Sequence, residues 1–273
     1  MGVWDAWIGR EEVRTDRVDA GLVSRWLATF DRDAPSDGNV PQGLHWCLCL
    51  PDAPTAKLSP DGHPLRDDGV QSFLPPVPLP RRMWAAGRMQ IHRPLLAGIQ
   101  AEKRSSIESV TRKDGRTGPL AFVRIRHDLW QRQGLAQTEW QEIVYRHDPS
   151  PDTPTPVPPT APHDETVRQQ LTFGSTALFR YSALTFNGHR IHYDADYARS
   201  VEGYAGLVVH GPLLAQMLML LAQEALGRPL TDFRYRATGP LIADEPADFC
   251  WRADGQLWVR GSDGRQCMSA EAS

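Results

Sequence analysis

The sequence predicts an α+β fold in which one buried helix packs against antiparallel strands. The helix is Pro212 to Leu226, which is apolar on nearly every face, carries proline in its first turn and precedes Gly227. Strand-like runs follow it, and Asp-Gly turns separate the last three of them. A helix without a wetted face must be covered, so we expect these strands to wrap around it. The runs are Leu230 to Thr238, Ala247 to Ala253, Gln256 to Gly261 and Arg265 to Ala270.

The first part of the chain has a helix and strands of its own. The segment Arg14 to Phe30 carries an apolar residue at every fourth position, which predicts a helix. The apolar run Gly43 to Leu50 is typical of a strand or a buried segment, whereas Pro51 to Pro80 is dense in proline, glycine and aspartate and indicates loops. Four further runs predict an antiparallel sheet with one wetted face. They are Gly87 to His92, Ala97 to Arg112, Pro119 to Trp130 and Gln137 to Arg146.

A proline-rich segment divides the chain into two units. Between positions 149 and 165, prolines alternate with serine, threonine and aspartate, which is typical of a semi-rigid linker with little buried surface. We therefore predict an N-terminal unit of residues 1–148 and a C-terminal unit of residues 166–273. The second unit should open with an extended run, Val167 to Tyr181, and contain a short helix at Asp196 to Gly203.

Composition limits the class of protein. The 273 residues suffice for a substantial core, and an apolar fraction of 41% with a charged fraction of 23% indicates a globular chain. A formal net charge of -3 argues against a general nucleic-acid binder, whose surface would be basic. No run reaches the ~20 apolar residues that a membrane span requires, and the N-terminus lacks an apolar signal core. We therefore expect a cytoplasmic protein without nucleic-acid or membrane partners.

Neither the cysteines nor the histidines predict a metal centre. The four cysteines form two distant pairs without zinc-ligand spacing, so we expect buried, reduced thiols. On a strand, Cys47 and Cys49 would face the same side. His189, His192 and Asp194 are an alternative ligand set, but on a helix the aspartate would leave the face that the histidines share. We therefore expect no metal.

The densest chemistry lies in the run Leu184 to Asp194, shortly before the buried helix. Asn187 and His192 are five positions apart there. A histidine gains or loses a proton near neutral pH, and an amide can orient the water on which it acts. The turn His210-Gly211 enters the helix, where Gly211 and the residues after the following proline can offer N–H groups to a developing oxyanion. A base, a water-holder and an oxyanion site together indicate addition or removal of water next to a carbonyl.

Each of these residues also has a structural explanation. On the residues alone, a core His192 bonded to a backbone carbonyl is as well supported as a catalytic base. His189 and Arg190 are of the types more often found solvated on the surface, and His210 would stabilise a turn. A serine hydrolase is disfavoured, because no serine lies in a nucleophile elbow.

The same residues resemble a known family. The run Asn187 to His192 is similar to the Asp-x-Asn-Pro-Ile-His signature of the MaoC-like, or (R)-specific enoyl-CoA hydratase, family of the hot-dog superfamily, with asparagine at the aspartate position. The turn Val209 to Gly211 matches the start of that family's long helix. In its Asn-Gly-His-Arg-Ile-His-Tyr-Asp form the motif is similar to the branch that contains mesaconyl-C4-CoA hydratases, itaconyl-CoA hydratases and mitochondrial hydroxyacyl-thioester dehydratases of type 2. The segment Phe73 to Trp84, FLPPVPLPRRMW, resembles the N-terminal half of mesaconyl-C4-CoA hydratases.

The resemblance implies an α+β double hot-dog. Each repeat would be an antiparallel sheet wrapped on a central helix, and the two sheets would join into one. The first repeat would be degenerate, without the catalytic motif, and would help to shape the acyl or pantetheine tunnel. The expected partner is an acyl-CoA substrate, and no cofactor is expected beyond the CoA of that substrate. Hot-dog units commonly pair, which makes a homodimer one option.

The resemblance also implies unequal roles for the motif residues. Because an amide cannot accept a proton, His192 would be the single acid–base and Asn187 would hold the water. The N–H of Gly211 would polarise the thioester carbonyl. A second carboxylate on the acyl group would need a cation, for which arginine is suited. The substrate-binding candidates are Arg190, Arg81, Arg82 and His210.

The leading hypothesis is reversible hydration of a C5-dicarboxylyl-CoA, itaconyl-CoA or mesaconyl-C4-CoA, to citramalyl-CoA. Two alternatives stay open. The first is a 3-hydroxyacyl-thioester dehydratase of fatty-acid metabolism, which would need a longer and more apolar pocket. The second is a non-catalytic acyl-CoA-binding protein, since asparagine at an aspartate position can mark a lost activity.

Overall fold

The computed structural model describes residues 3–35, 38–67, 69–115, 118–147 and 157–273. The strands of the first half are β1 (Glu11–Arg17), β2 (Arg81–Ile91), β3 (Gln100–Gly115), β4 (Gly118–Gln131) and β5 (Gly134–Arg146). Those of the second half are β6 (Val167–Leu171), β7 (Asp232–Ala237), β8 (Ala247–Trp251), β9 (Gln256–Arg260) and β10 (Gln266–Ala272). The α-helices are α1 (Ala20–Thr29), α2 (Ser175–Thr185), α3 (Ala195–Ser200) and α4 (Gly211–Leu226). Short 3₁₀ turns lie at Asp5–Trp7, Leu44–Cys47, Thr55–Lys57 and Arg190–His192.

Within the described ranges, all of these strands belong to one antiparallel sheet. Their order is β1-β3-β4-β5-β2-β7-β10-β9-β8-β6. Each half therefore has the same order when it is read from the outer edge of the sheet to the centre. Its first strand is at the edge, its third, fourth and fifth strands follow, and its second strand is at the centre. The halves meet where β2 pairs with β7, from Ala86 opposite Arg236 to Gln90 opposite Asp232. The predicted α+β double hot-dog, with its two sheets joined into one, is confirmed.

Helix α4 is the buried helix on which the second half is built. Leu218 and Met219 are fully buried, and the helix packs against β7, β8, β9 and β10. Gly227 ends it in the left-handed region, with φ 64°, and donates its N–H to Gln223 O at 2.9 Å. Gln216, the polar residue within the run, is also buried, and its Nε2 donates to Gln42 O at 3.1 Å. The prediction of this helix is confirmed.

The first half lacks an equivalent of α4 in the described part of the segment between β1 and β2. That segment holds α1 and the 3₁₀ turns Leu44–Cys47 and Thr55–Lys57 instead. Gly43, with φ 94°, lies directly against α4, because a Cβ added there would be 1.8 Å from Gln216 Oε1. The first repeat therefore contributes to the covering of the second repeat's helix and has no long helix of its own there.

Three predicted elements of the chain differ from the observed ones. The helix predicted from Arg14 begins only after Asp19, whose Oδ1 accepts from Leu22 N at 2.7 Å, and the preceding residues form the edge strand β1. The run Gly43 to Leu50 is buried but contains a 3₁₀ turn and no strand, so the common strand face expected for Cys47 and Cys49 is wrong. The extended run predicted to Tyr181 ends at Leu171, where the chain turns into α2.

The cysteines are buried and free, as expected. Burial raises the pKa of the thiols of Cys47 and Cys250 to about 12. Cys49 and Cys267 are buried as well. None of the α-helices in the described ranges is long and apolar enough to cross a membrane.

Part of the predicted linker lies outside the described residues, namely 149–156. The rest packs onto the second half. Ala161 is buried against Cys250 and Trp258, and its N–H donates to Gly264 O at 2.9 Å. Glu165 pairs with the buried Arg260 at 2.7 Å. The expectation that little of this segment is buried therefore fails at Ala161, and the boundary between the two units stays a prediction.

Candidate active site

The predicted motif forms a tight loop between α2 and α3. Phe186 closes α2 in the left-handed region, with φ 48°, and the 3₁₀ turn Arg190–His192 follows. Asp194 then caps α3, because its Oδ1 accepts from Tyr197 N at 3.0 Å. These turns fold the loop back on itself, so that His192 points inward towards the start of α4.

His192 is held in a defined tautomer. Its Nδ1 is 2.7 Å from the carbonyl oxygen of Val208, an atom that can only accept, so Nδ1 carries the proton. Nε2 therefore holds the lone pair, and it has no hydrogen-bond partner among the described residues. Burial lowers the pKa of His192 to about 4, although the Val208 carbonyl acts in the opposite direction. The backbone bond foreseen for a core histidine is present, and it leaves a neutral imidazole with an available base nitrogen.

His210 lies behind His192. The two rings stack with centroids 3.5 Å apart and planes 19° apart, and His210 Nε2 is 2.8 Å from Ser182 Oγ. Burial, and then the charges of His192 and His189, lower the pKa of His210 well below its ordinary value. Its exposure is 1%, so the ring supports the base from the protein side. This placement favours a supporting role over the predicted contact with substrate.

Gly211 begins α4 beside this pair of rings. A Cβ added there would meet nothing within 4 Å, so the space next to its backbone is open. Its N–H has no acceptor in the described part of the chain, as expected in the first turn of a helix. The next residue, Pro212, has no N–H. A helix N-terminus with an available N–H next to a base nitrogen is the arrangement required of an oxyanion site.

Asn187 lies at the start of the loop, with part of its amide already engaged. Its Oδ1 accepts from His189 N at 3.0 Å, and its own N–H donates to Ser182 O at 2.9 Å. The Nδ2 group can contact a water, but only as a donor. The role of Asn187 as water-holder stays a prediction, with Nδ2 available to donate and the second lone pair of Oδ1 available to accept.

The three predicted arginines lie in different surroundings. Arg190 uses Nε and Nη2 on Asp194, at 3.1 and 2.7 Å, and Nη1 on Pro60 O at 3.1 Å. Its guanidinium also lies 4.0 Å from the centre of the Tyr197 ring. These contacts fix the loop and favour a structural role for Arg190.

Arg81 lies nearer to the imidazoles than its position in the sequence suggests. It pairs with Glu202 at 3.0 Å, with 15% of its side chain exposed, and its charge contributes to the low pKa of His189. Arg82 is the next residue of β2 and pairs in the sheet with Tyr145, so it projects to the other face. Of these two neighbouring arginines, Arg81 is therefore the one whose charge acts on the imidazoles.

Sequence reasoning missed a loop of the first half, Ser59 to His63. Asp61 O accepts from Arg190 N at 2.8 Å, and the ring of His63 lies 4.1 Å from that of His189. The local signal was a Ser-Pro-Asp-Gly-His turn within a segment rich in proline and glycine. Nothing in that pattern indicates that it docks on a motif so far along the chain.

Asp61, His63 and His189 offer potential metal-ligand atoms within 4.8 Å of one another. The carboxylate is already engaged, because Oδ1 accepts from the Ser59 hydroxyl and from His63 N, and Oδ2 lies 3.1 Å from His63 Nδ1. This geometry describes an aspartate that orients a histidine better than it describes an open ligand set. The alternative set with Asp194 is not assembled, since Asp194 caps α3 and pairs with Arg190. The absence of a metal stays a prediction.

The sequence profile of hydroxyacyl-thioester dehydratase type 2 matches residues 43–243. Mesaconyl-C4-CoA hydratase of Chloroflexus aurantiacus is 43% identical over 274 residues, which cover 98% of this chain and 96% of the relative. The chain belongs to the hydroxyacyl-thioester dehydratase type 2 family. The mitochondrial enzyme of that name from Schizosaccharomyces pombe is 27% identical over 232 residues, which cover 74% of this chain and 76% of the relative.

Solved structures agree with the double hot-dog fold of this dehydratase-family chain. A MaoC-like dehydratase superposes with a TM-score of 0.73 at 13% identity, covering 99% of both chains. HtdX of Mycobacterium tuberculosis gives a TM-score of 0.68 at 15% identity, covering 96% of this chain and 99% of its own. The family membership makes the protein a hydro-lyase, and His192 and Gly211 supply a base and an N–H donor of the kind that such an enzyme needs.

The buried histidines of this hydro-lyase should make its stability depend on pH. Burial lowers the pKa of His189 to about 3 and that of His192 to about 4, whereas in the unfolded chain both titrate near ~6.5. Below ~6.5 the unfolded state gains protons that the folded state cannot bind. The contribution to stability is therefore fully present above ~6.5 and is lost as the pH falls towards 4.

We expect the free energy of unfolding to fall by on the order of 1 kcal/mol per pH unit for each histidine between pH 6.5 and 5. Urea titrations at pH 7.5, 6 and 5 would measure this fall. The window lies above the ordinary carboxylate pKa values, which separates the histidine contribution from that of acidic groups. The variant His192→Gln should show a smaller pH dependence, and equal slopes for the variant and the wild type would contradict the assignment.

Proposed function

We propose that this hydro-lyase catalyses reversible hydration of an enoyl-CoA thioester, with a C5-dicarboxylyl group as its acyl part. Mesaconyl-C4-CoA or itaconyl-CoA would be converted to citramalyl-CoA. The observation that carries the proposal is the 43% identity to a mesaconyl-C4-CoA hydratase over nearly the whole of both chains. The neutral base and the adjacent helix N-terminus support the same chemistry.

The proposed reaction uses His192 as its base. Nε2 takes a proton from a water, the remaining hydroxide bonds to the β-carbon of the enoyl group, and the electron pair of the double bond moves onto the thioester. The Gly211 N–H stabilises the enolate oxygen that develops there. The reaction is completed when the α-carbon receives a proton. In the dehydration direction the same steps run in reverse.

The low pKa of His192 suits this role in hydration. With a pKa of about 4, the imidazole is neutral at pH 7 and therefore ready to accept a proton without first losing one. The protonated form is disfavoured by burial, so His192 readily gives up the proton that it has taken from water.

The first repeat offers a second argument for a short, polar acyl group. It contains a cavity of about 220 Å³, and polar residues form much of its lining. They are His45, Lys103, His127, Gln137, Glu139 and Gln141. Burial acts to raise the pKa of Glu139, but His45, with Nε2 3.5 Å from the carboxylate, His127 and the hydrogen bond from Trp46 Nε1 at 2.9 Å lower it to about 2. The other lining residues are apolar: Trp46, Leu48, Leu50, Pro51 and Leu129. If this repeat shapes the acyl tunnel, it is therefore the small volume of the cavity that disfavours a long chain.

Arg81 is the stronger candidate for the distal carboxylate of the substrate. We expect Arg81→Gln to raise KM for mesaconyl-C4-CoA by about 10- to 100-fold, the effect of losing one buried charge-assisted bond. KM for crotonyl-CoA, which lacks the carboxylate, should change little. Arg82→Gln, a neighbour on the other face of β2, is the matched control. Equal losses on both substrates would contradict carboxylate recognition by Arg81.

Arg190→Ala gives a contrasting expectation. Because its guanidinium holds Asp194 and Pro60, its loss should loosen the motif loop and lower kcat on dicarboxylyl and monocarboxylyl substrates alike. A loss confined to the dicarboxylyl substrate would restore Arg190 as the carboxylate clamp. Unchanged kinetics would exclude both roles. Steady-state assays on the two thioesters decide among these outcomes.

The reaction itself is tested by absorbance at the enoyl-thioester band over mesaconyl-C4-, itaconyl-, crotonyl- and longer enoyl-CoA substrates. The highest kcat/KM is expected for a C5-dicarboxylyl-CoA. The match to the dehydratase family and the 27% identity to the Schizosaccharomyces pombe enzyme favour one competitor, a 3-hydroxyacyl-thioester dehydratase. A preference for longer monocarboxylic chains would favour that competitor. No activity on any of these thioesters would favour a non-catalytic acyl-CoA-binding protein.

A further inference from the structure

The loop Ser59 to His63 of the first repeat is built into the motif loop of the second. Arg190 contacts it twice, through its backbone N–H on Asp61 O at 2.8 Å and through Nη1 on Pro60 O at 3.1 Å. Gly62 lies so close to Gly188 that an added Cβ would be 1.9 Å from its carbonyl oxygen. A fit this tight between backbones fixes the position of the next side chain, that of His63.

Asp61 sets the orientation of His63. Its carboxylate takes the backbone N–H of His63 at 3.0 Å and faces the ring nitrogen Nδ1 at 3.1 Å. Burial acts to raise the pKa of Asp61, but the hydrogen bonds from His63 and Ser59 outweigh it and lower the pKa below its ordinary range. An ionised carboxylate on Nδ1 fixes the orientation of the ring and directs Nε2 away from itself.

His63 is the imidazole of this cluster with a carboxylate at hydrogen-bond distance. Of the other three, His192 and His210 are buried and His189 is half-buried, and burial disfavours the charged form of each. The rings form a row, with centroids 4.1 Å apart from His63 to His189 and 5.5 Å apart from His189 to His192. His63 is at the wetter end, with 31% of its side chain exposed.

The charged and titratable groups around His63 come from three parts of the chain. Asp61 lies on its own loop, His189 and His192 lie on the motif loop, and the charge of Arg81 on β2 reaches His189. The charge of His63 in turn acts on His192. His63 is therefore oriented by Asp61 and lies within electrostatic reach of His192.

The motif has asparagine where a second proton-carrying group is expected, and the loop supplies such a group. We infer that His63, oriented by Asp61, is the acid of the site and protonates the α-carbon while His192 deprotonates water. One proton leaves water for His192 and one leaves His63 for carbon, and exchange with solvent then removes the proton from His192 and returns one to the half-exposed His63. The inference rests on the proposed hydration reaction.

The test is the pH dependence of kcat/KM for the wild type, His63→Gln and Asp61→Asn, on the enoyl-CoA that the wild type hydrates fastest. The wild type should give a bell-shaped profile. Its acidic limb, the rise at low pH, comes from His192 as the base, and its alkaline limb, the fall at high pH, comes from His63 as the acid. His63→Gln should lose about 100-fold in kcat and lose the alkaline limb, while it keeps the acidic one. Asp61→Asn should move the alkaline limb to lower pH, because the imidazolium loses its carboxylate.

The control is His163→Gln, which removes an exposed histidine outside the site. Wild-type kcat for His63→Gln, or a lower kcat with an unchanged bell, would overturn the inference and leave the hydration reaction standing. A wild-type protein without activity on any enoyl-CoA would overturn both the inference about His63 and the proposed hydration reaction. If circular dichroism shows that His63→Gln does not fold, Asp61→Asn decides alone. An alkaline limb of kcat/KM at the same pH in Asp61→Asn as in the wild type would overturn the inference.

Discussion

Replacement of His192 by glutamine should lower kcat for hydration by about 10³-fold, within the range known for loss of a general base. Glutamine retains a side-chain N–H that can donate to Val208 O in place of Nδ1. The variant therefore loses the base nitrogen while it can keep the bond that anchors the side chain. KM should change little, because the binding surface is left in place. Steady-state kinetics on the best enoyl-CoA, with binding of a saturated acyl-CoA analogue, measure the two quantities separately.

His210→Gln is the matched control for this experiment, because it removes the ring that stacks on His192 without removing the base. We expect a smaller loss, about 10-fold, through weaker positioning of His192. A His192→Gln variant that keeps more than about a tenth of the wild-type kcat would place the base elsewhere. Loss of acyl-CoA binding together with activity would indicate that the change had disrupted the site as a whole.

The second half of the chain was largely predictable from local pattern. Helix α4 is apolar all round and bounded by Pro212 and Gly227, so its identity does not depend on distant contacts. The Asp-Gly turns before Gln256 and after Arg260 separate short strands for the same local reason. The placement of His192 beside the start of α4 was a hypothesis from chemistry and was then supported by the resemblance, since periodicity says nothing about which loop meets which helix.

The sequence-based predictions failed where the hydrophobic pattern was too weak or where the contacting residues lie far apart in the sequence. The strand β1 is mostly charged and alternates between exposed and half-buried residues, so it lacks the apolar period that identifies a strand. Its pairing with β3, from Glu11 opposite Ser106, supplies the stabilisation that its side chains do not. The loop before His63 is ordered by contacts with the second repeat, which no local window contains.

The loss of the long helix from the first repeat has a consequence for the second. Among its described residues, the segment between β1 and β2 holds the short α1 and 3₁₀ turns in place of a long helix, and it lies against α4 at Gly43 and against the motif loop at Gly62. The first repeat thus forms part of the wall of the candidate active site. A C-terminal unit expressed alone would lack these contacts as well as the β2–β7 seam.

Substitution of Gly62 by alanine should therefore damage the site from a distance along the chain. The φ angle of 91° is unfavourable for alanine by about 1–2 kcal/mol. Its Cβ would also lie 1.9 Å from Gly188 O, so one of the two loops must move. A shift of about 1 Å in a catalytic group can cost about 100-fold in rate. We expect kcat to fall by about that factor, with the fold retained as judged by circular dichroism.

Gly98→Ala separates backbone strain from the clash. Gly98 has φ 76° but nothing within 4 Å of an added Cβ, so its substitution brings the strain alone. This control should lose a similar amount of stability in urea titrations while it keeps wild-type kcat. If Gly62→Ala also keeps wild-type kcat, the first-repeat loop contributes nothing to catalysis. If both variants lose activity equally, the loss follows from stability, and the contact between Gly62 and Gly188 has no specific role in placing the motif loop.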